Sequence, residues 1–121
     1  MHDLRQLDGA VSEIASSVFQ SVPIASWQKA ILFAKYTPDG SVSGHDFDYH
    51  LVDGTINQRV IPDAQQRAAI YELTDQHLRL TQDLGLPRWY KMIVTVNRDG
   101  KFSVDFEYND NYQEGDIIKR G

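Results

Sequence analysis

The chain contains no cysteine. Disulfides, thiolate metal sites and a cysteine nucleophile are excluded with it, and so is the usual mark of an oxidising compartment. Long apolar runs are missing as well. The longest unbroken one, Ala30 to Ala34, is far short of the ~20 residues that a membrane span requires. The opening residues Met1-His2-Asp3-Leu4-Arg5 lack a basic stretch followed by an apolar one, so no secretory signal is read there and a cytoplasmic address is expected. Basic charge is scarce. Twelve lysines and arginines stand against 17 aspartates and glutamates, a net charge of −5, which argues against nucleic acid or an anionic membrane as a direct partner. Signatures of nucleophilic and phosphate chemistry are equally thin. There is no Gly-x-Ser-x-Gly elbow, and Gly40-Ser41-Val42-Ser43-Gly44 is not followed by Gly-Lys-Ser/Thr.

What is present is enough for one domain over residues 1–121, because 41% hydrophobic residues in a chain of this length bury a core without staples. Residues 4–22 set Leu4, Leu7, Val11, Ile14, Val18 and Val22 at steps of three and four, one stripe of an amphipathic helix. Asp3 is its expected N-cap and Pro23 its stop. Residues 27–36 read as a central strand, since Ile31-Leu32-Phe33 is apolar on both faces. Pro38-Asp39-Gly40 marks a turn. In residues 41–52 Phe47, Tyr49 and Leu51 alternate with Asp46, Asp48 and His50, a strand with one wet face. A short third strand is expected within 55–61.

Pro62-Asp63 opens a second helix, with a stripe of Ile70, Leu73, His77, Leu80 and Leu84 and a stop at Gly85 and Pro87. Residues 89–97 and 101–108 are strands. Arg98-Asp99-Gly100-Lys101 joins them, read as a tight primed hairpin turn. Phe102, Val104, Phe106 and Tyr108 face one way, and Lys101, Ser103, Asp105 and Glu107 the other. The order α-β-β-(β)-α-β-β predicts an α+β fold, an antiparallel sheet of four to five strands with two helices packed on one face. A polar tail is expected from about residue 111.

The acidity is concentrated. Residues 1–98 hold eleven acids and nine bases, whereas 99–118 hold six acids and one base, Lys101. If the helices cover one sheet face, Asp105 and Glu107 lie on the open one, and a solvated face becomes a surface complementary to a basic partner. Tyr108-Asn109-Asp110-Asn111-Tyr112 adds an aromatic and acidic stretch suited to partner contact, or equally a tyrosine closing the core before a polar tail. His45-Asp46-Phe47-Asp48-Tyr49-His50 is the densest set of metal-ligand types. On a strand Asp46 and His50 are ~13 Å apart, so one ion with bonds of ~2 Å cannot collect Asp46, Asp48 and His50 without help from elsewhere. His77, on an apolar stripe, reads as a core histidine with a hydrogen-bond partner.

The C-terminal hairpin carries a family pattern. Trp89-Tyr90-Lys91-Met92, then Asp99-Gly100-Lys101-Phe102-Ser103-Val104-Asp105-Phe106-Glu107-Tyr108, resembles the YezG-type immunity protein (antitoxin) family. Its members set a tryptophan before a strand, then Asp-Gly-Lys-Phe, then Asp-Phe-acid-Tyr. The amphipathic N-terminal helix, Trp27 leading a strand and the second helix before Trp89 fit the same layout. The resemblance covers roughly residues 4–110, with a loose match over 53–63, and leaves 111–121 outside.

It implies a non-enzymatic inhibitor without cofactor or metal. Such a protein binds, one to one, a toxin domain that is frequently a nuclease with a basic groove. Asp105 and Glu107 are then the leading toxin contacts. Asp46 and Asp48 follow if their strand shares that face, and Asp110 and Tyr112 extend the set. Phe102, Val104 and Phe106 are expected in the core, with Trp27 and Trp89 as anchors. The competing readings are an adaptor binding a basic protein and a metal-dependent enzyme using His45, Asp46, Asp48 and His50.

Overall fold

The computed structural model describes residues 4–40, 43–108 and 114–118. The elements run α1 (Leu4–Ser21), β1 (Trp27–Tyr36), β2 (Ser43–Leu51), β3 (Ile56–Asn57), α2 (Ala64–Asp83), β4 (Lys91–Asn97), β5 (Phe102–Glu107) and α3 (Glu114–Ile118). The fold is α+β. One five-stranded antiparallel sheet has the order β3-β2-β1-β4-β5, which puts β1 at its centre, as its doubly apolar sequence predicts.

The period-two pattern sorts the sheet into two faces. Ala30, Leu32, Ala34 and Tyr36 of β1, Phe47 and Tyr49 of β2, and Met92, Val94 and Val96 of β4 are buried together. With Ile14, Ala15 and Val18 of α1 and Ile70 and Leu78 of α2 they form the core. The two long helices therefore share one face of the sheet. The apolar stripe of α1 enters the core as its spacing predicts. That of α2 is rotated from the expected one: Ile70, Thr74, His77, Leu78 and Thr81 are buried, whereas Leu73, Leu80 and Leu84 are only half-buried. Threonines tolerate this burial because their hydroxyls bond to the preceding turn. Thr74 Oγ1 donates to the Tyr71 carbonyl at 2.9 Å and Thr81 Oγ1 to the His77 carbonyl at 3.0 Å.

Local chemistry sets the boundaries. Asp63 caps α2 by accepting from the Gln66 amide at 2.9 Å. The expected cap of α1, Asp3, lies outside the described residues. The third strand is confined to two residues, Ile56 and Asn57. The β4–β5 turn differs from the primed form. Among the described residues no non-glycine has positive φ, and Gly100 alone in this loop adopts it, at 91°. The Gly100 amide bonds to the Asn97 carbonyl at 2.9 Å and the Asn97 amide to the Lys101 carbonyl at 2.8 Å. This is a three-residue loop whose glycine forms the bulge, and it spares Asp99 a left-handed backbone. Asp99 instead accepts from the Lys101 amide at 2.9 Å.

The expected polar tail contains α3. Ile117 is buried and lies against Gly44 of β2, where a methyl group would stand 2.7 Å from its Cγ2. Gly44 pairs with Lys35, on the face opposite the long helices, so α3 covers one end of that face.

Candidate functional site

The outer face of the sheet follows directly from the register. Asp46 pairs with Phe33, Asp48 with Ile31 and His50 with Lys29. Across β1, Phe33 pairs with Ile93, Ile31 with Thr95 and Lys35 with Lys91. Beyond β4, Ile93 pairs with Asp105 and Lys91 with Glu107. Asp46 and Asp48 thus share a face with Asp105 and Glu107. Three strand spacings, about 14 Å, separate the two acidic margins. Between them runs a half-buried apolar strip of Ile31, Phe33 and Ile93.

The four carboxylates are not equivalent. Asp46 faces Lys35, whose side chain is 1% exposed although it carries a charge, with Nζ 3.2 Å from Oδ2. An unpaired ammonium there would be costly, so Asp46 is committed to the fold. Glu107 lies 3.5 Å from Lys91, and Lys91 also stands 5.4 Å from the centre of the Phe33 ring. Asp48 accepts from Gln58 Nε2 at 3.3 Å. Asp105 is exposed and has no salt bridge among the described residues. The lysines are what the sequence reading left out. Lys29, Lys35 and Lys91 occupy alternate positions with Ile31, Phe33 and Ile93, and that parity is visible in residues 29–35 and 91–93. They temper the face, with Lys35 and Lys91 at one end and Lys29, near Lys101 of the hairpin, at the other. Asp110 and Tyr112 lie outside the described residues.

The histidine and aspartate cluster is divided by the same alternation. His45 pairs with Ala34 and turns to the core side, away from Asp46, Asp48 and His50. Among the described residues no group of three or more histidines, aspartates or glutamates is placed to hold a metal ion. His45 instead joins a polar pin between sheet and α2. Its ring stacks on Tyr71 at 4.1 Å, and its Nε2 lies 2.9 Å from Thr74 Oγ1. The Tyr36 hydroxyl lies 2.7 Å from the same Oγ1 and donates to Asp75 Oδ1 at 2.5 Å.

With the phenol proton given to Asp75 and the Thr74 proton given to a carbonyl or to Tyr36, Nε2 of His45 must be the protonated ring nitrogen. Burial lowers the His45 pKa to about 4, against a smaller opposing pull from Asp75 and Asp46. Burial and the bond to Asp75 push the Tyr36 phenol far above its ordinary value. At neutral pH both groups keep fixed protonation states and act as pins. Beside them Tyr36, Asp39, Asp75, Arg79 and Arg88 line a polar recess of about 300 Å³. Its two acids and two arginines offset each other, and Arg88 Nη2 is spent on the Thr37 carbonyl at 2.8 Å. Of this network only His45 was singled out in the sequence, and for a different role, because the network needs Tyr36 and Thr74, 38 positions apart, to meet.

Both tryptophans are core anchors as expected, with Trp27 and Trp89 buried. The expectation for the hairpin needs correction. Phe102 is 42% exposed, and Val104 and Phe106 are half-buried. They do face the helical side, but β5 is the sheet's edge and α1 lies over β4, so the layer thins there. Among the described residues no helix is long and apolar enough to cross a membrane. Compared with known proteins, the chain matches no family model and no curated protein.

Proposed function

We propose that this chain is an immunity protein, which binds and neutralises a cognate bacterial toxin domain one to one by laying the outer sheet face over a basic surface of the toxin. One observation carries the reading. The open face combines an apolar strip of Ile31, Phe33 and Ile93 with carboxylates on both flanks, Asp46 and Asp48 on one side and Asp105 and Glu107 on the other. A water-excluding centre with a charged margin is the anatomy of a protein interface. Acidic margins steer a basic partner and speed its encounter, while the buried centre slows release. The hairpin's resemblance to the YezG-type family, carried by residues 89–108, adds support.

The carboxylates divide the labour. Asp105, exposed and without a salt bridge among the described residues, is the primary charge contact. Glu107 and Asp48 reinforce it, and Asp46 contributes chiefly by holding Lys35 in place. Inhibition on this account is occlusion and requires no chemistry, cofactor, metal, nucleic acid or membrane. The test is capture from the native host with the full chain as bait, followed by assay of any recovered toxin domain. A recovered toxin whose activity is abolished at one equivalent supports the reading. Recovery of a non-toxic basic protein instead would replace it with the adaptor reading.

A further inference from the structure

The outer edge of β5 has no strand paired to it among the described residues, and its geometry is specific. The bond from the Asn97 amide to the Lys101 carbonyl, carried along the β4–β5 register, makes Lys101, Ser103, Asp105 and Glu107 the residues that bond to β4. In an antiparallel ladder the alternate residues then turn their N–H and C=O groups the other way. Phe102, Val104 and Phe106 therefore present their backbone to the open edge. Their side chains lie on the helical face, where Phe102 is 42% and Tyr108 60% exposed. Exposed aromatics beside an unpaired edge are the opposite of the charged, twisted edges that keep sheets apart.

We propose that two copies of this chain join edge to edge through β5, antiparallel and centred on Val104, into one continuous sheet. The sequence of the strand selects that register. Because the outward backbone groups sit on Phe102, Val104 and Phe106, two copies must match these positions with one another. Centred on Val104, Phe102 lies opposite Phe106 of the second copy, and Val104 opposite its own counterpart. On the outer face Lys101 then lies opposite Glu107, and Ser103 opposite Asp105, twice over by symmetry. Sliding one strand by two residues in one direction sets Asp105 against Asp105, and like charges directly opposite are destabilising. Sliding it in the other sets Lys101 against Asp105 but Glu107 against Asp99 of the hairpin loop, and it moves Phe106 off the strand to face Gly100, so the Phe102–Phe106 pairs are lost.

The ends of the strand agree with this arrangement. Tyr108 falls opposite Gly100 of the second copy. Space above Gly100 is open, with nothing within 4 Å of where a Cβ would stand. Gly100 also borders a mainly apolar recess of about 240 Å³ whose walls include Ala15, Phe19, Val96 and Phe102. An aromatic ring across a glycine is a known device for sealing sheet positions that lack a side chain. Such a dimer leaves the outer face as accessible as it is in the single chain, so the inference goes beyond the proposed function and does not depend on it.

The experiment is sedimentation equilibrium on the full chain from about 1 µM to 1 mM, paired with amide exchange. A reversible dimer is expected, with the Phe102, Val104 and Phe106 amides slowing as concentration rises. Val104→Pro removes an outward N–H without touching the bonds to β4 and is expected to give a monomer. Lys101→Glu is expected to weaken the dimer about tenfold, because two attractive pairs become repulsive. Lys101→Glu combined with Glu107→Lys is expected to restore it. The charge exchange carries the test alone if Val104→Pro does not fold. A monomer throughout the range overturns the proposal, and so does a dimer indifferent to the charge exchange.

Discussion

Trp89 donates its indole N–H to Nδ1 of His77 at 3.1 Å. The bond joins the segment leading into β4 to the C-terminal half of α2 inside the core, and it answers two needs at once. A buried indole requires an acceptor, and a buried neutral imidazole has one ring nitrogen to offer. The bond fixes the tautomer, with the proton on Nε2, and Phe106 stacks on the same imidazole at 5.3 Å. His77 is thereby explained as a structural group.

Stability should depend on pH through His77 and His45. Burial lowers the pKa of each to about 4, against about 6.5 in the unfolded chain. The unfolded state thus takes up protons first as pH falls. Above the unfolded value neither histidine affects stability. Between about 6.5 and 4 stability drops, with a slope approaching about 2 kcal/mol per pH unit where both contribute. Urea unfolding at pH 7.5, 6 and 5 measures this. His77→Gln should flatten the dependence by its own share, and an unchanged midpoint from pH 7.5 to 5 would contradict the assignment.

The Lys35–Asp46 pair should be a strut of the outer face. Asp46→Asn removes a counter-charge from the buried Lys35 ammonium and is expected to cost about 3 kcal/mol. Lys35→Met removes the buried charge altogether and should cost less, because the longer stem is replaced by an apolar one of similar length. Equal costs, read from denaturant midpoints, would mean that the burial of Lys35 does not govern the pair.

Two buried tyrosines should respond oppositely to loss of the hydroxyl. The Tyr36 hydroxyl bonds to Thr74 and Asp75, so Tyr36→Phe is expected to destabilise by about 1–2 kcal/mol. The Tyr49 hydroxyl is buried and has no hydrogen-bond partner among the described residues, and burial raises its pKa. Tyr49→Phe should therefore be neutral or stabilising by up to about 1 kcal/mol. Thermal unfolding of both variants under one condition decides the contrast.

Most of the architecture was legible because it rests on local periodicity. Steps of three and four marked α1, and alternation in residues 45–51 and 101–108 sorted both strands into faces. That Asp46 and Asp48 share a face with Asp105 and Glu107 also follows from parity once strand order is known. What was hidden depends on strand order and on contacts distant in the chain. The exposure of Phe102 follows from β5 lying at the edge. The rotation of α2 rests on threonines that satisfy themselves within the helix. Ile117 finds Gly44, and His45 finds Thr74, only in the folded chain.

The central claim is that the outer sheet face binds a basic toxin surface. Calorimetric titration of the full chain against a toxin domain recovered with it from the native host, at low and high salt, tests this. A one-to-one complex is expected, one that weakens as salt rises and that suppresses toxin activity. Asp105→Lys should lower affinity by at least about tenfold and flatten the salt dependence. A tight inhibitory complex indifferent to salt and to Asp105→Lys would contradict the assigned face, and absence of binding to that toxin would contradict the immunity reading itself.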